Sequence, residues 1–350
     1  MHRNSKKFNR FSCIEFFTKE NPPNTDILIN YKESLKEPKI YTQPLRKLTV
    51  PGLADDFYSN LVDWSDNYIL YAVENRIYLF NYYSSKNTLL YSLNGLMVTS
   101  VKFNDKGNTV AIGTSTGILN ILDISTQKIQ NYQQHKSRIG VIEWDENRII
   151  TGSRDRTIKN MDIRIEDSPD VLTFHQQEVC GLKISKNKKF IASGGNDNKL
   201  FVYDTRNLNN YFHKYTEHKA AVKAIAWSPI KPSLLLSGGG TADKSIKMWD
   251  TMNINNSPVK TVDYNSQICN LYWTRNNTVI STHGYSQNDA RISQAPTLRV
   301  KKIFYGHKNR VIHFSVSKDE KYFVTGSSDN ILTFWKAEEN FEHESFSYLR

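Results

Sequence analysis

The stretch that decides the fold reads Ala221-Val-Lys-Ala-Ile-Ala-Trp227, then Ser237-Gly-Gly-Gly-Thr-Ala-Asp243, and closes at Trp249-Asp250. An alternating apolar strand is followed by a turn of small residues with an aspartate, and then by a strand that ends in an aromatic residue and a second aspartate. Variants of the pattern occupy residues 138–155, 178–197 and 310–329. The chain is therefore an array of similar β-units.

The closing pairs set the period of the repeat. They are Phe80-Asn81, Leu122-Asp123, Met161-Asp162, Tyr203-Asp204, Trp249-Asp250 and Trp335-Lys336. Successive pairs lie 42, 39, 42 and 46 residues apart, and the last interval of 86 residues equals two periods of 43. This spacing is typical of the ~40–45-residue blade of a WD40 propeller. Seven units fit between residues 57 and 337, so the sequence predicts an all-β, seven-bladed WD40 β-propeller with a degenerate sixth unit, where Ser293-Gln294 replaces the closing pair.

The ends of the chain complete this prediction. The seventh unit has only three clear strands, and an open blade would leave an unpaired strand edge. We expect the strand-like segment 41–50 to supply the fourth strand, so that the propeller spans residues 40–337. The N-terminal tail 1–39 and the C-terminal tail 338–350 are polar, and both are predicted to be short disordered segments when alone.

The histidines of the repeats point to structure rather than catalysis. His135, His175, His218 and His307 each precede a unit at the same place. In such blades a buried His, Ser or Thr, Asp and Trp can form a hydrogen-bonded network, which accounts for the His–Asp pairs without a catalytic triad. The chain also lacks a Gly-rich phosphate loop with Lys and the HExxH, CxxC and GxSxG motifs. We therefore expect a binding protein and not an enzyme.

Composition excludes several other classes. The 350 residues include three cysteines, Cys13, Cys180 and Cys269, which cannot form a disulfide framework and show no metal-ligand spacing. No apolar run approaches the ~18 residues of a membrane span, and the basic start lacks the apolar core of a secretion signal. We expect no cofactor, no metal and no membrane contact, and a location in the nucleus and cytoplasm.

The net charge of +11 leaves two interpretations open. A basic chain can bind nucleic acid. Here Lys and Arg are spread along the chain, and the only dense run is Lys183, Lys186, Lys188 and Lys189. This spread favours a monomeric propeller that attracts acidic protein partners, with nucleic acid as the less favoured alternative.

Six stretches are more specific than the general repeat. They read Pro51-Gly-Leu-Ala-Asp-Asp-Phe-Tyr-Ser-Asn-Leu-Val-Asp-Trp64, Glu178-Val-Cys-Gly-Leu-Lys183, Ser193-Gly-Gly-Asn-Asp-Asn-Lys-Leu200, Ala220-Ala-Val-Lys-Ala-Ile-Ala-Trp-Ser-Pro229, Gly238-Gly-Gly-Thr-Ala-Asp-Lys244 and Ser281-Thr-His-Gly-Tyr-Ser-Gln-Asn288. Together they resemble the Fizzy/Fizzy-related family of WD40 activators and substrate receptors of the anaphase-promoting complex, over about residues 45–335. The resemblance implies an adaptor that binds this ubiquitin ligase, presents degron-bearing substrates such as cyclins and securin, and can meet spindle-checkpoint proteins.

The resemblance also implies a receptor for the KEN degron on the axial face of the ring. The matching positions are Asp56, Asn196, Asn198, Thr241, Gln267 and Arg310. Asp56 would pair with the degron lysine and Arg310 with its glutamate, through charge-assisted hydrogen bonds. The alternative for Asn196 and Asn198 is that they only shape a turn.

The destruction-box receptor of the family lies between the closing strand and the last blade. Its acidic positions correspond here to Thr49 and Asn330, both neutral, while Leu48 and Pro51 could retain an apolar slot. We therefore expect weakened or altered recognition of the Arg-x-x-Leu destruction box.

Ligase attachment in the family uses both tails. The chain ends in Leu349-Arg350, similar to the family's terminal Ile-Arg, and Arg10-Phe11 keeps the Arg-aromatic pair of its C-box. Because the rest of the C-box is degenerate, a WD40 interaction scaffold without ligase coupling remains the alternative function.

Overall fold

The computed structural model describes residues 37–165, 169–253 and 255–337. Within these ranges the regular elements are strands, which form seven sheets and confirm the predicted all-β propeller. No helix there is long and apolar enough to cross a membrane. The predicted tails fall almost entirely outside the described residues.

Two short strands precede the repeats, β1 (Lys39–Tyr41) and β2 (Arg46–Thr49). Blades one to five follow, each an antiparallel sheet of four consecutive strands that we term a to d. Blade one contains β3 (Val62–Ser65), β4 (Tyr68–Val73), β5 (Arg76–Asn81) and β6 (Asn87–Ser92). Blade two contains β7 (Val98–Phe103), β8 (Thr109–Thr114), β9 (Ile118–Asp123) and β10 (Ile129–Gln133). Blade three contains β11 (Ile139–Asp145), β12 (Arg148–Ser153), β13 (Ile158–Asp162) and β14 (Asp170–Leu172).

The remaining blades continue the pattern. Blade four contains β15 (Val179–Ile184), β16 (Phe190–Gly195), β17 (Leu200–Asp204) and β18 (His213–Tyr215), and blade five β19 (Val222–Trp227), β20 (Leu234–Gly239), β21 (Ser245–Asp250) and β22 (Lys260–Asp263). Blade six contains β23 (Ile268–Trp273), β24 (Thr278–His283), β25 (Asp289–Gln294) and β26 (Arg299–Tyr305). Blade seven contributes β27 (Val311–Val316), β28 (Tyr322–Ser327) and β29 (Ile331–Lys336).

The ring closes through the two strands that precede it. Strand β2 pairs antiparallel with β29, with Thr49 opposite Ile331, and so completes blade seven. Strand β1 instead pairs parallel with β26 as a fifth strand of blade six. The prediction of one continuous strand over 41–50 is wrong in this respect. Pro44 lies between the two strands and has no N–H to donate to a ladder, which favours a break there.

Packing between blades explains why the ring has to close. Among the described residues, seven buried apolar clusters each contain side chains from two neighbouring blades, as Leu70 of blade one and Val110 of blade two illustrate. Each sheet therefore buries both faces against its neighbours, and a missing blade would expose two apolar surfaces. The innermost strands contact one another around a central channel.

The predicted histidine network is present in blade five and is structural. Nε2 of His218 lies 2.6 Å from Oγ of Ser237, and Nδ1 lies 2.9 Å from Oδ2 of Asp243. The indole N–H of Trp249 donates to the same Ser237 hydroxyl at 2.7 Å. The corresponding histidines of blades three, four and seven also contact an aspartate and a hydroxyl, at Asp155, Asp197 and Asp329. These groups join the d–a connection, strand b and the b–c turn of one blade.

Blade six has a different hydrogen-bonded set in place of the histidine network. Tyr264 stands four residues before strand a, where blades three, four, five and seven carry histidine, and Ser293 stands where blade five carries Trp249. The Tyr264 hydroxyl lies 2.8 Å from Oγ of Ser293 and donates to the carbonyl of Leu298 at 2.9 Å. The phenol ring also stacks on His283 at 5.4 Å between ring centroids. Tyrosine thus replaces histidine and serine replaces tryptophan, and the two replacements contact each other.

Candidate functional site

The six predicted KEN-binding residues lie at one end of the ring. Strands a start at this end and strands b finish there, because the two are antiparallel neighbours. We define the axial face as residues 53–60, the turns between strands b and c, and the residues that lead into strands a. Asn196, Asn198 and Thr241 lie in such turns, whereas Gln267 and Arg310 each immediately precede a strand a.

A segment that closes the channel supports this face. In residues 53–60, Phe57 is buried against Cys269 and Ile312. The ammonium of Lys223 donates to the carbonyl of Ser59 at 2.9 Å, and Nε2 of His313 lies 2.8 Å from the carbonyl of Ala54. Burial lowers the pKa of Lys223 to about 8. The segment is thus held from several blades, and Asp56 has a fixed backbone.

Asp56 belongs to a charged network that the sequence analysis did not identify. Nη1 of Arg138 donates to Oδ2 of Asp56 at 2.9 Å, while its Nε and Nη2 donate to the two carboxylate oxygens of Glu178 at 2.6 and 2.7 Å. Burial by itself would raise the pKa of Asp56. Hydrogen bonds from Ser59 and from the Tyr58 N–H, together with the charge of Arg138, outweigh burial and hold this pKa below its ordinary value. Asp56 is therefore an anion at neutral pH.

Asn196 is connected to this network through Tyr58. The Tyr58 hydroxyl donates to Oδ1 of Asn196 at 2.8 Å, and Nδ2 of Asn196 donates to Oε1 of Gln177 at 2.8 Å. The Asn196 N–H donates to the carbonyl of Glu178 at 2.8 Å. Asn198 follows in the left-handed region with φ of 62°, a conformation that asparagine tolerates. Asn198 thus serves the turn, and Asn196 also connects blade four to the segment 53–60.

The other three predicted residues differ in accessibility. Thr241 is exposed. Gln267 is only 4% exposed, and its Oε1 is a buried acceptor with no hydrogen-bond partner among the described residues. Arg310 donates from Nε to Oδ1 of Asp55 at 2.6 Å and from Nη2 to the Asp55 carbonyl at 2.9 Å. The structure therefore brings Asp56, Asn196 and Arg310 to one connected surface and sets Gln267 beneath it.

Arg138 and Glu178, which were not predicted from the sequence, share a repeat position with Gln267 and Arg310, which were. Arg138 and Glu178 immediately precede strands β11 and β15, as Gln267 and Arg310 precede β23 and β27. Alignment of the units on this position would have shown a set of polar and charged groups directed at one region. It would not have shown that Arg138 bridges Glu178 and Asp56, which requires the ring geometry.

The predicted destruction-box residues lie in the closing strand β2 and beside it. Thr49 and Asn330 are exposed, and the Gly52 N–H donates to Oδ1 of Asn330 at 3.0 Å. Leu48 packs on the apolar cluster between blades seven and one, and Pro51 is exposed. Positions 49 and 330 therefore carry neutral side chains and no carboxylate. The ligase-binding residues Arg10, Phe11, Leu349 and Arg350 lie outside the described residues.

The opposite end of the channel carries a second charged cluster. A cavity of about 330 Å3 is lined by the ends of strands a, including Asp63, Lys102, Glu143 and Lys183. Lys102 pairs with Asp63 at 3.2 Å, and Lys183 pairs with Glu143. The alternating charges compensate one another, so this cluster stabilises the channel wall. No group of His, Cys, Asp and Glu suited to a metal ion occurs among residues 37–165, 169–253 and 255–337.

Comparison with known proteins identifies the family to which this propeller is similar. The model of the CDC20/Fizzy WD40 domain matches residues 48–335. The chain is 43% identical to the protein FIZZY-RELATED 1 of Arabidopsis thaliana, covering 90% of this chain and 67% of that one. It is 36% identical to anaphase-promoting complex subunit cdc20 of Dictyostelium discoideum, covering 89% and 64%. The chain thus spans about two thirds of the length of these relatives.

A solved structure agrees with the sequence relatives. A chain in the crystal structure of a mitotic checkpoint complex matches with a TM-score of 0.82 and 33% identity, covering 87% of this chain and 99% of that chain. The domain match extends from the closing strand to the end of blade seven, and so includes all the blades described above. By sequence and by fold, the chain belongs to the CDC20/Fizzy family of WD40 proteins.

Proposed function

We propose that the chain is an activator and substrate-recognition adaptor of the anaphase-promoting complex, and that its axial face binds KEN-type degrons. One observation carries the degron part of the proposal. A carboxylate, Asp56, and a guanidinium, Arg310, lie on one surface together with the amide of Asn196. These are the charges and the hydrogen-bonding group that a lysine, a glutamate and an asparagine require.

Asp56 and Arg310 can each still bind a charged peptide side chain, although both already form an ion pair. Arg138 holds Asp56 with one hydrogen bond and Glu178 with two, so a degron lysine can displace the single bond while Arg138 stays anchored. Arg310 uses Nε and Nη2 on Asp55, and its Nη1 has no partner among the described residues. A degron glutamate can therefore bind Arg310 without breaking the pair with Asp55. The free protein holds both charges in place, which lowers the ordering cost of binding.

Peptide binding tests the degron part. We expect a fluorescent KEN peptide to bind the chain and a peptide with Ala-Ala-Ala at the core to bind much more weakly. Asp56→Asn should weaken KEN binding by roughly 10- to 100-fold, because one charge-assisted hydrogen bond contributes roughly 1.5–3 kcal/mol. Asp66→Asn is the matched control, since Asp66 is exposed and pairs with Lys318 at 3.3 Å outside the axial face. Equal affinities of the two variants would contradict the proposal.

Ligase coupling needs a separate test because it concerns the tails. The proposed partners are subunits of the anaphase-promoting complex, substrates such as cyclins and securin, and checkpoint proteins, in the nucleus and cytoplasm. A pull-down of ligase subunits with and without Leu349-Arg350 tests the attachment. Loss of ligase subunits on deletion supports the adaptor. Intact KEN binding with no ligase recovered by either form would favour the WD40 scaffold without ligase coupling.

A further inference from the structure

A cleft between blades three and four opens on the axial face beside the proposed KEN site. Its volume is about 450 Å3. Tyr58 and Asn196 line it together with Arg138 and Glu178, so the cleft is continuous with the network around Asp56. Its remaining walls are arginines and glutamines. The arginines of these walls are not among the six residues assigned to the KEN core, so the proposed KEN site gives them no role.

Two of the arginines have no ion-pair partner among the described residues. Arg154 and Arg156 lie in the turn between β12 and β13, are exposed, and form no ion pair among the described residues. Both carboxylate oxygens of Glu178 accept hydrogen bonds from Arg138 and not from these two arginines. Asp155 stands between the two arginines in sequence, yet its carboxylate accepts bonds from Lys136 N–H and Thr157 and contacts His135. The cleft therefore presents two guanidinium groups that pair with no carboxylate among the described residues.

The turn that holds these arginines is fixed. The Arg154 N–H donates to the carbonyl of Arg138 at 3.0 Å, and the Arg156 N–H donates to the carbonyl of Ser153 at 3.2 Å. Arg156 has φ of 75°, and the bonds of Asp155 maintain this left-handed turn. The backbones of the two arginines are thus ordered before any ligand arrives.

The opposite wall adds hydrogen-bond donors. The side-chain oxygens of Gln176 and Gln177 accept hydrogen bonds from Lys199 at 3.1 Å and from Asn196 at 2.8 Å, so the amide NH2 groups remain as the donors of this wall. Two guanidinium groups with amides beside them match the chemistry of a carboxylate or phosphate.

We propose that this cleft is a subsite for an anionic side chain, a carboxylate or a phosphate, that flanks the KEN core in a bound peptide. The inference rests on the proposed function and extends it, because it gives substrates with an acidic or phosphorylated flank an advantage over substrates with a neutral flank. Phosphorylation of a residue near the core would then strengthen recognition.

The test compares KEN peptides that differ only in one flanking residue, placed before or after the core. We expect glutamate to tighten binding about threefold and phosphoserine about tenfold relative to alanine, on the flank that reaches the cleft. Arg154→Gln with Arg156→Gln should abolish this gain and leave the alanine-flanked peptide unchanged. The gain should also shrink at high salt, because both guanidinium groups are exposed.

The matched control is Arg164→Gln with Arg206→Gln. These arginines belong to the same two blades, lie beyond the other ends of strands c, and are 65% and 80% exposed, so the control removes equal charge away from the axial face. A gain that persists in the Arg154/Arg156 variant, falls equally in the control, or is absent on both flanks would overturn the subsite. Failure of the alanine-flanked peptide to bind the unmodified chain would instead refute the proposed function.

Discussion

Replacing Asp243 by asparagine tests whether the histidine network holds blade five together. The carboxylate of Asp243 accepts hydrogen bonds from the Lys219 N–H at 2.6 Å and from the hydroxyl and N–H of Ser245, and it contacts His218 at 2.9 Å. Its side chain is 3% exposed. Asparagine has the same size, but it replaces one acceptor oxygen by an NH2 group that faces donors.

The expected loss follows from this geometry. A hydrogen bond to a charged group contributes roughly 1.5–3 kcal/mol, and a buried donor left without an acceptor costs about 1–3 kcal/mol. We expect Asp243→Asn to lower the free energy of unfolding by about 3 kcal/mol, a large part of the ~5–15 kcal/mol of a typical protein. Asp263→Asn is the control in the same blade, because Asp263 is exposed and accepts one bond, from the Asn265 N–H. We expect about 0.5 kcal/mol there.

Denaturant unfolding monitored by circular dichroism at several pH values provides the assay. The pKa of Asp243 lies below its ordinary value, since hydrogen bonds from His218 and Ser245 outweigh burial. Its contribution is therefore complete above about pH 4 and is lost as pH falls through the lowered pKa, so the unmodified chain and Asp243→Asn should converge in acid. Equal unfolding midpoints for Asp243→Asn and Asp263→Asn at pH 7 would refute the reasoning.

Three further predictions concern the channel, the thiols and the closing strand. Burial lowers the pKa of Lys223 to about 8. Between pH 8 and 10.5 only the unfolded chain keeps the proton, so the free energy of unfolding of the unmodified chain should rise by about 3 kcal/mol over this range. The free energy of unfolding of Lys223→Met should not show this rise. Burial raises the pKa of both Cys180 and Cys269, the latter to about 12, and mass spectrometry should show no alkylation of either thiol by iodoacetamide at pH 8 before unfolding. Thr49→Asp with Asn330→Asp should tighten binding of an Arg-x-x-Leu peptide at least threefold in fluorescence anisotropy, whereas Thr49→Asn with Asn330 unchanged should not, because only carboxylates attract the peptide arginine.

The repeat made most of the fold predictable. Apolar alternation, small residues at turns and the spacing of the closing pairs are local features, and each blade forms from residues close in sequence. The His218–Asp243 contact could be predicted for the same reason, since its members recur at fixed positions within a unit. The closing strand was predicted less well. Its partner is almost 300 residues away, so local pattern could not show that β1 and β2 join different blades.

The degenerate sixth blade shows a similar limit. The sequence shows that the aromatic residue of the closing pair is missing there, but not what fills its place. Tyr264 comes from the connection before the blade and reaches Ser293 across the folded sheet. Which residues contact each other after such a paired replacement depends on how side chains pack in the folded blade.

Local pattern and period in the sequence were enough to predict the class of fold, the number of blades, the family and part of the axial face, but not Arg138 and Glu178. Tertiary structure alone decided which of those residues are connected and which charges stay free. Arg138 reaches Asp56, 82 residues earlier, and Glu178, 40 residues later, because ring closure brings their three segments to one point. That contact satisfies Glu178 and leaves Arg154 and Arg156 without a carboxylate partner among the described residues. Charge compensation depends on distances across the ring, and those distances are set by the packing of blades rather than by spacing along the chain.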